Sequence, residues 1–223
     1  MKKLSLVAVA VCLFVGSSFA EWGKFGVIED GSAEAKFGIY GGGAMALNIH
    51  YGLLENLELF STAGTNSSNF TLGAKYMAIP LLGAFLDLDL PTEKQPMGSY
   101  DFGLTPGINV TTSFSESLSF GSVVKLPITL ADEAILGLTA GIEFDYMFSG
   151  NIGAWLGVDF VIENLSNTDN IGAGNIQPGI GFFFTKDALT VGTMINLIDL
   201  NHMNADGEDS IGISGGVEVC VKF

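Results

Sequence analysis

Apolar and polar side chains alternate with a period of two in segment after segment of this chain. Within residues 135–148, Leu136, Leu138, Ala140, Ile142, Phe144, Tyr146 and Phe148 share one parity, and Gly137, Thr139, Gly141, Glu143, Asp145 and Met147 share the other. Successive side chains of a strand point to opposite faces, so the pattern predicts strands with one apolar face and one polar face. Residues 152–163 repeat it, and the same reading places further strands at 45–53, 57–64, 70–79, 82–90, 101–114, 118–128, 176–185, 189–200 and 211–223. The connections alternate in length. Those at 55–56, 80–81, 115–117, 149–151 and 186–188 are short, whereas 91–100, 164–175 and 201–210 are long.

The last strand is the most regular. Ile211, Ile213, Val217, Val219, Val221 and Phe223 face one way, and Gly212, Ser214, Gly216, Glu218, Cys220 and Lys222 the other. This segment resembles the closing strand of a Gram-negative outer-membrane β-barrel. The resemblance implies that the barrel-assembly machinery reads Val219, Val221 and the terminal Phe223, and that the fold is an all-β, antiparallel, up-and-down transmembrane barrel. Short turns on one side and long loops on the other fit that pattern, with the short turns periplasmic. Eleven strands are one short of the even number such barrels use. A twelfth is therefore expected between Trp22 and Gly43. There Lys24-Phe25-Gly26-Val27 and Lys36-Phe37-Gly38-Ile39 look alike on either side of an Asp30-Gly31 turn, and Gly41-Gly42-Gly43 offers a second turn. Ten strands with an N-terminal extension, or fourteen, satisfy the same parity.

At the other end, Lys2 and Lys3 precede an apolar run over residues 4–15, and Ser18-Phe19-Ala20 reads as a small-x-small cleavage site. Residues 1–20 are thus expected to be an export leader and 21–223 a single barrel domain. The run is too short for a membrane-spanning helix, which needs about 20 residues. Without the leader the chain would hold 7 Lys, no Arg and 24 acidic residues, a net charge of −17. That excess excludes nucleic acid as a partner, since such binders need a basic footprint. Cys12 would leave with the leader, so Cys220 alone would remain and no intramolecular disulfide can form. A mean hydropathy of +0.44 is what a chain with one lipid-facing and one wet side per strand should show.

Parity assigns the faces. Tyr51, Tyr76, Phe114, Phe148, Phe184 and Phe223 lie on the apolar parity near the short-turn end, as an interfacial aromatic girdle would. The polar parity is rich in Gly, Ser, Thr and Asn where a water-washed sheet would carry dense mixed charges, so it is expected to line a lumen. Its charged members are Glu58, Lys75, Asp87, Asp89, Lys125, Glu143, Asp145, Asp159 and Glu218, joined by Asp101, Glu163 and Lys222. Phe60, Phe85, Trp155 and Phe183 share the parity, as do many glycines, which either empty the bore or permit close interstrand approach.

An acidic lumen predicts a narrow passive channel for small solutes with weak cation preference. The alternative is a non-conducting structural or adhesive barrel. An outer-membrane hydrolase is less well supported, because His50 and His202 are the only histidines and neither has a sequence-near partner set for nucleophilic catalysis. The acidic stretch 199–209 does not match a calcium loop. No cofactor, metal site or catalytic residue is called for. The partners expected are outer-membrane lipid, the assembly machinery and small solutes.

Overall fold

The computed structural model describes residues 25–65, 69–92, 102–130, 133–166, 176–199 and 212–223. The expected leader, residues 1–20, Asp101 and the stretch from Leu200 through His202 to Ile211 lie outside them. The strands are β1 (Ala33–Tyr40), β2 (Met45–Leu54), β3 (Leu57–Gly64), β4 (Asn69–Ile79), β5 (Leu82–Pro91), β6 (Phe102–Ser113), β7 (Leu118–Lys125), β8 (Ile128–Leu130), β9 (Ala134–Leu136), β10 (Leu138–Met147), β11 (Ile152–Ile162), β12 (Ile176–Lys186), β13 (Leu189–Asp199) and β14 (Gly212–Lys222). Every pairing is antiparallel, and β1 joins both β2 and β14, which closes the sheet into a barrel.

Fourteen segments make twelve staves. β8 continues β7 beyond Leu126 and Pro127, because β6 pairs with β7 over Gly107 to Ser113 and with β8 over Phe102 to Leu104. Likewise β9 leads into β10 across Gly137, pairing with β8 as β10 pairs with β7. The break follows from Pro127, which has no N–H to give the ladder. Hydrogen bonds from Leu126 N–H to Pro106 O (3.0 Å) and from Gly137 N–H to Pro127 O (2.7 Å) carry the wall across the gap.

The first stave resolves the look-alike tetrapeptides. Residues 36–39 sit in β1 with a strand on each side, whereas residues 25–27 lie outside any strand. Both anticipated turns exist, with Gly31 and Gly43 at φ +72° and +77°, a region only glycine enters cheaply. Most staves run 10 to 12 residues, the length a tilted strand needs to cross a bilayer. Closure leaves every stave paired on both sides, so backbone polar groups are satisfied within the wall, the condition for a sheet in lipid.

Candidate functional site

The two parities separate cleanly. Ile49, Leu59, Leu72, Leu86, Ile108, Ile142, Leu156, Phe182 and Ile195 are exposed on the outside, while Lys75, Glu58, Glu143, Val123 and Asn109 are fully buried within. Burying charge on the inside of a sheet whose outside is apolar is the reverse of a water-soluble fold. Tyr51, Tyr76, Phe114, Phe148, Phe184 and Phe223 are all exposed, from 43% for Phe184 to 68% for Phe223. Each stands a few residues from a short turn or the chain end: Tyr76 lies opposite Leu57, Phe184 opposite Ile152, and Phe148 N–H bonds to Ile152 O. Val219 and Val221 pair with Phe37 and Ala35 on one side and with Val191 and Leu189 on the other.

The inward charges fall into two groups. Glu58, Lys75, Asp87 and Glu143 are buried; Asp89, Lys125, Asp145, Asp159 and Glu218 are half-buried. Glu163 lies just past β11 and is exposed. Glu58 and Lys75 oppose each other across β3 and β4. The Glu58 carboxylate meets His50 Nδ1 at 2.7 Å, and His50 stacks on Phe60 with ring centroids 5.9 Å apart. The imidazole thus has a carboxylate partner eight residues along, invisible as a local motif because it lies across the β2–β3 hairpin. Thr71 donates to Asp89, and Lys125 Nζ sits 5.9 Å from the Phe85 ring centroid.

The first stave adds residues the sequence pattern missed, because its register was ambiguous. Glu34 and Lys36 point inward; Glu34 bridges to Lys222 Nζ at 2.7 Å, and Tyr40 Oη–H donates to Glu218 at 2.7 Å. Asn109 also lines the interior, on the parity of Gly107.

Five of the inward glycines seat aromatic rings. Phe60 lies over its cross-strand partner Gly73, Phe85 over Gly107, Phe183 over Gly153, Trp155 over Gly181 and Tyr40 over Gly216, and a Cβ on any of these glycines would overlap the ring. Small residues therefore let large ones lie flat against the wall, and the volume they free is refilled by rings. What space remains includes a cavity of about 280 Å³ against β10 to β14 and β1, bordered by Lys36, Asp145, Trp155, Phe183, Met194 and Cys220.

A closed twelve-stave barrel with an apolar exterior and a charged interior has the fold of the small outer-membrane porin-like barrels. Solved structures agree. The chain superimposes on the NanC porin with a TM-score of 0.56 at 8% identity, covering 86% of this chain and 100% of that one. A KdgM porin crystallised with disordered oligogalacturonate gives 0.54 at 12% identity, with 86% and 98% covered. An outer membrane channel from Pseudomonas putida F1 gives 0.59 at 9% identity, with 93% and 100% covered. No family model and no curated relative matches the chain.

Proposed function

We propose that this protein is an outer-membrane channel that passes small solutes passively and prefers cations, embedded in outer-membrane lipid after removal of a leader behind Ala20. One observation carries the reading: within the described strands, eight carboxylates of inward parity (Glu34, Glu58, Asp87, Asp89, Glu143, Asp145, Asp159 and Glu218) stand against four amines (Lys36, Lys75, Lys125 and Lys222). Fixed carboxylates between low-dielectric walls concentrate cations and depress anions. The apolar exterior supports lipid as the surrounding medium. The six exposed aromatics as interfacial anchors, and Val219, Val221 and Phe223 as the signal read by the assembly machinery, belong to the same proposal.

A second reading, a barrel that conducts nothing and serves at the cell surface, has one observation in its favour: residues 25–32 occupy part of the bore, as described below. Planar-bilayer recording separates the two. Folded protein, verified by heat-modifiable gel mobility, should give discrete current steps and a zero-current potential displaced toward that of K⁺ in a KCl gradient. Silence from folded protein overturns the channel and leaves the surface reading, and a potential displaced toward Cl⁻ rejects the cation preference.

A further inference from the structure

Residues 25–32 precede β1 but do not join the wall. Gly31 N–H bonds to Gly52 O at 2.8 Å and Gly52 N–H to Ser32 O at 3.0 Å, which ties the segment to the turn-side end of β2. Gly52 has no room for a side chain there, since a Cβ would overlap the Glu29 carbonyl. Residues 25–28 then run against the inner face of three strands. The Lys75 ammonium donates to the Phe25 carbonyl and to Gly26 O (3.3 Å), Asn109 Nδ2 donates to Phe25 O (3.0 Å), and Glu58 Oε2 accepts from Ile28 N–H (2.9 Å).

These contacts make a built site. Glu58, Lys75 and Asn109 come from β3, β4 and β6 and are 2%, 0% and 1% exposed. Backbone groups inside a barrel need partners just as those in its wall do, and a segment lacking a strand neighbour can find them only on inward side chains. A buried carboxylate, ammonium and carboxamide meet three successive peptide groups of the segment, two through their carbonyls and one through its N–H. On the facing wall, the cavity of about 280 Å³ falls near the lower end of the range of ligand sites, roughly 300–1,000 Å³. It is bordered by both charge signs and by Trp155 and Phe183.

We propose that residues 25–32 are a built-in constriction, a tethered peptide ligand of the β3–β6 wall, confining passage to the cavity between β10–β14 and β1. The inference rests on the channel reading and deepens it. The solute is then a small polar molecule carrying both donors and acceptors, of about amino-acid or monosaccharide size. Larger sugars are refused because the segment occupies the bore against β3, β4 and β6.

Seating is tested by cross-linking. A Cβ at Gly26 would stand 4.0 Å from Thr111 Cγ2, which puts the two positions side by side inside the barrel. In a C220S background, G26C together with T111C should therefore be joined by a short bis-thiol cross-linker in the folded, membrane-inserted protein, shifting its mobility on a denaturing gel. Passage is tested with N109A and with N109A/K75M, each checked for heat-modifiable folding; N109A alone leaves the Lys75 amine in place. Single-channel conductance should rise several-fold in N109A/K75M and by less in N109A, which keeps the Lys75 and Glu58 bonds to the segment. Liposomes bearing wild type should swell in arabinose but not in raffinose, and those bearing the released variant in both. Failure of the cross-link overturns the seating. A cross-link with conductance and raffinose exclusion unchanged on release overturns the constriction. Silence of wild type and of released variants alike, with the cross-link formed, overturns the channel reading itself while the seating stands. Current that appears only on release supports the proposal in its strongest form.

Discussion

Ala33 and Phe223 exchange both of their backbone hydrogen bonds, Phe223 N–H to Ala33 O at 2.8 Å and Ala33 N–H to Phe223 O at 3.3 Å. Phe223 therefore extends the seam between β14 and β1 by one more pair, and the residue is 68% accessible. Its neighbour Lys222 is held from the other side by Ala188 O at 2.8 Å.

Two variants separate these roles. Deleting Phe223 removes its two bonds to Ala33 and the ring, whereas F223A removes only the ring. Assembly into membranes, read as the heat-modifiable fraction of the expressed protein, should fall most for the deletion, fall measurably for F223A, and stay at the wild-type level for N204A. If F223A assembles as wild type does, the ring has no part in assembly and only the seam matters.

The glycine under Phe60 makes a packing prediction. A methyl group on Gly73 would overlap Phe60 and approach Leu86 O at 3.0 Å. Overpacking of this kind costs about 1–3 kcal/mol, so G73A should lower the urea midpoint of unfolding. F60L/G73A should recover part of the loss, because the clash is with the ring. A double variant no better than G73A alone would place the cost on the backbone contact.

Glu58 answers to three groups: the His50 ring, the Ile28 N–H, and Lys75 opposite it in register. Removing one partner from a buried charge pair costs about 3–5 kcal/mol, because the other charge stays desolvated. E58A should accordingly destabilise the barrel more than E58A/K75M does, measured by denaturant unfolding in detergent. Equal midpoints would mean that the two charges are compensated independently.

Cation preference should follow the half-buried acids Asp145 and Asp159, which lie opposite Trp155 and Gly141 in register. D145N/D159N should shift the zero-current potential toward zero. Raising the salt should do the same in wild type, since the screening length falls from about 10 Å at 0.1 M to about 3 Å at 1 M. A potential that ignores both manipulations would assign selectivity to other groups.

Much of the fold was legible along the chain because side-chain alternation is a local consequence of strand geometry. Ile142 and Leu156 are exposed outside and Glu143 and Trp155 buried inside, as their parity requires. Strand order followed from the turns, and the count of twelve from adding one strand to the eleven read along the chain to reach an even number. The breaks at Pro127 and Gly137 were less legible, because a missing donor interrupts a ladder without changing parity. Glu34 and Lys36 went unassigned because Lys24-Phe25-Gly26-Val27 and Lys36-Phe37-Gly38-Ile39 carry the same local signal.

By itself the sequence determined that the chain makes short antiparallel strands with opposed apolar and polar faces, since period-two patterning is set by backbone stereochemistry within each segment. Only the tertiary structure decided which look-alike tetrapeptide enters the wall. Residues 36–39 find β2 and β14 on either side, while Phe25 meets Lys75 and Asn109, 50 and 84 residues away in sequence. It also decided that five of the inward glycines carry rings, because a ring and its glycine face each other across strands through register, a relation no local pattern contains.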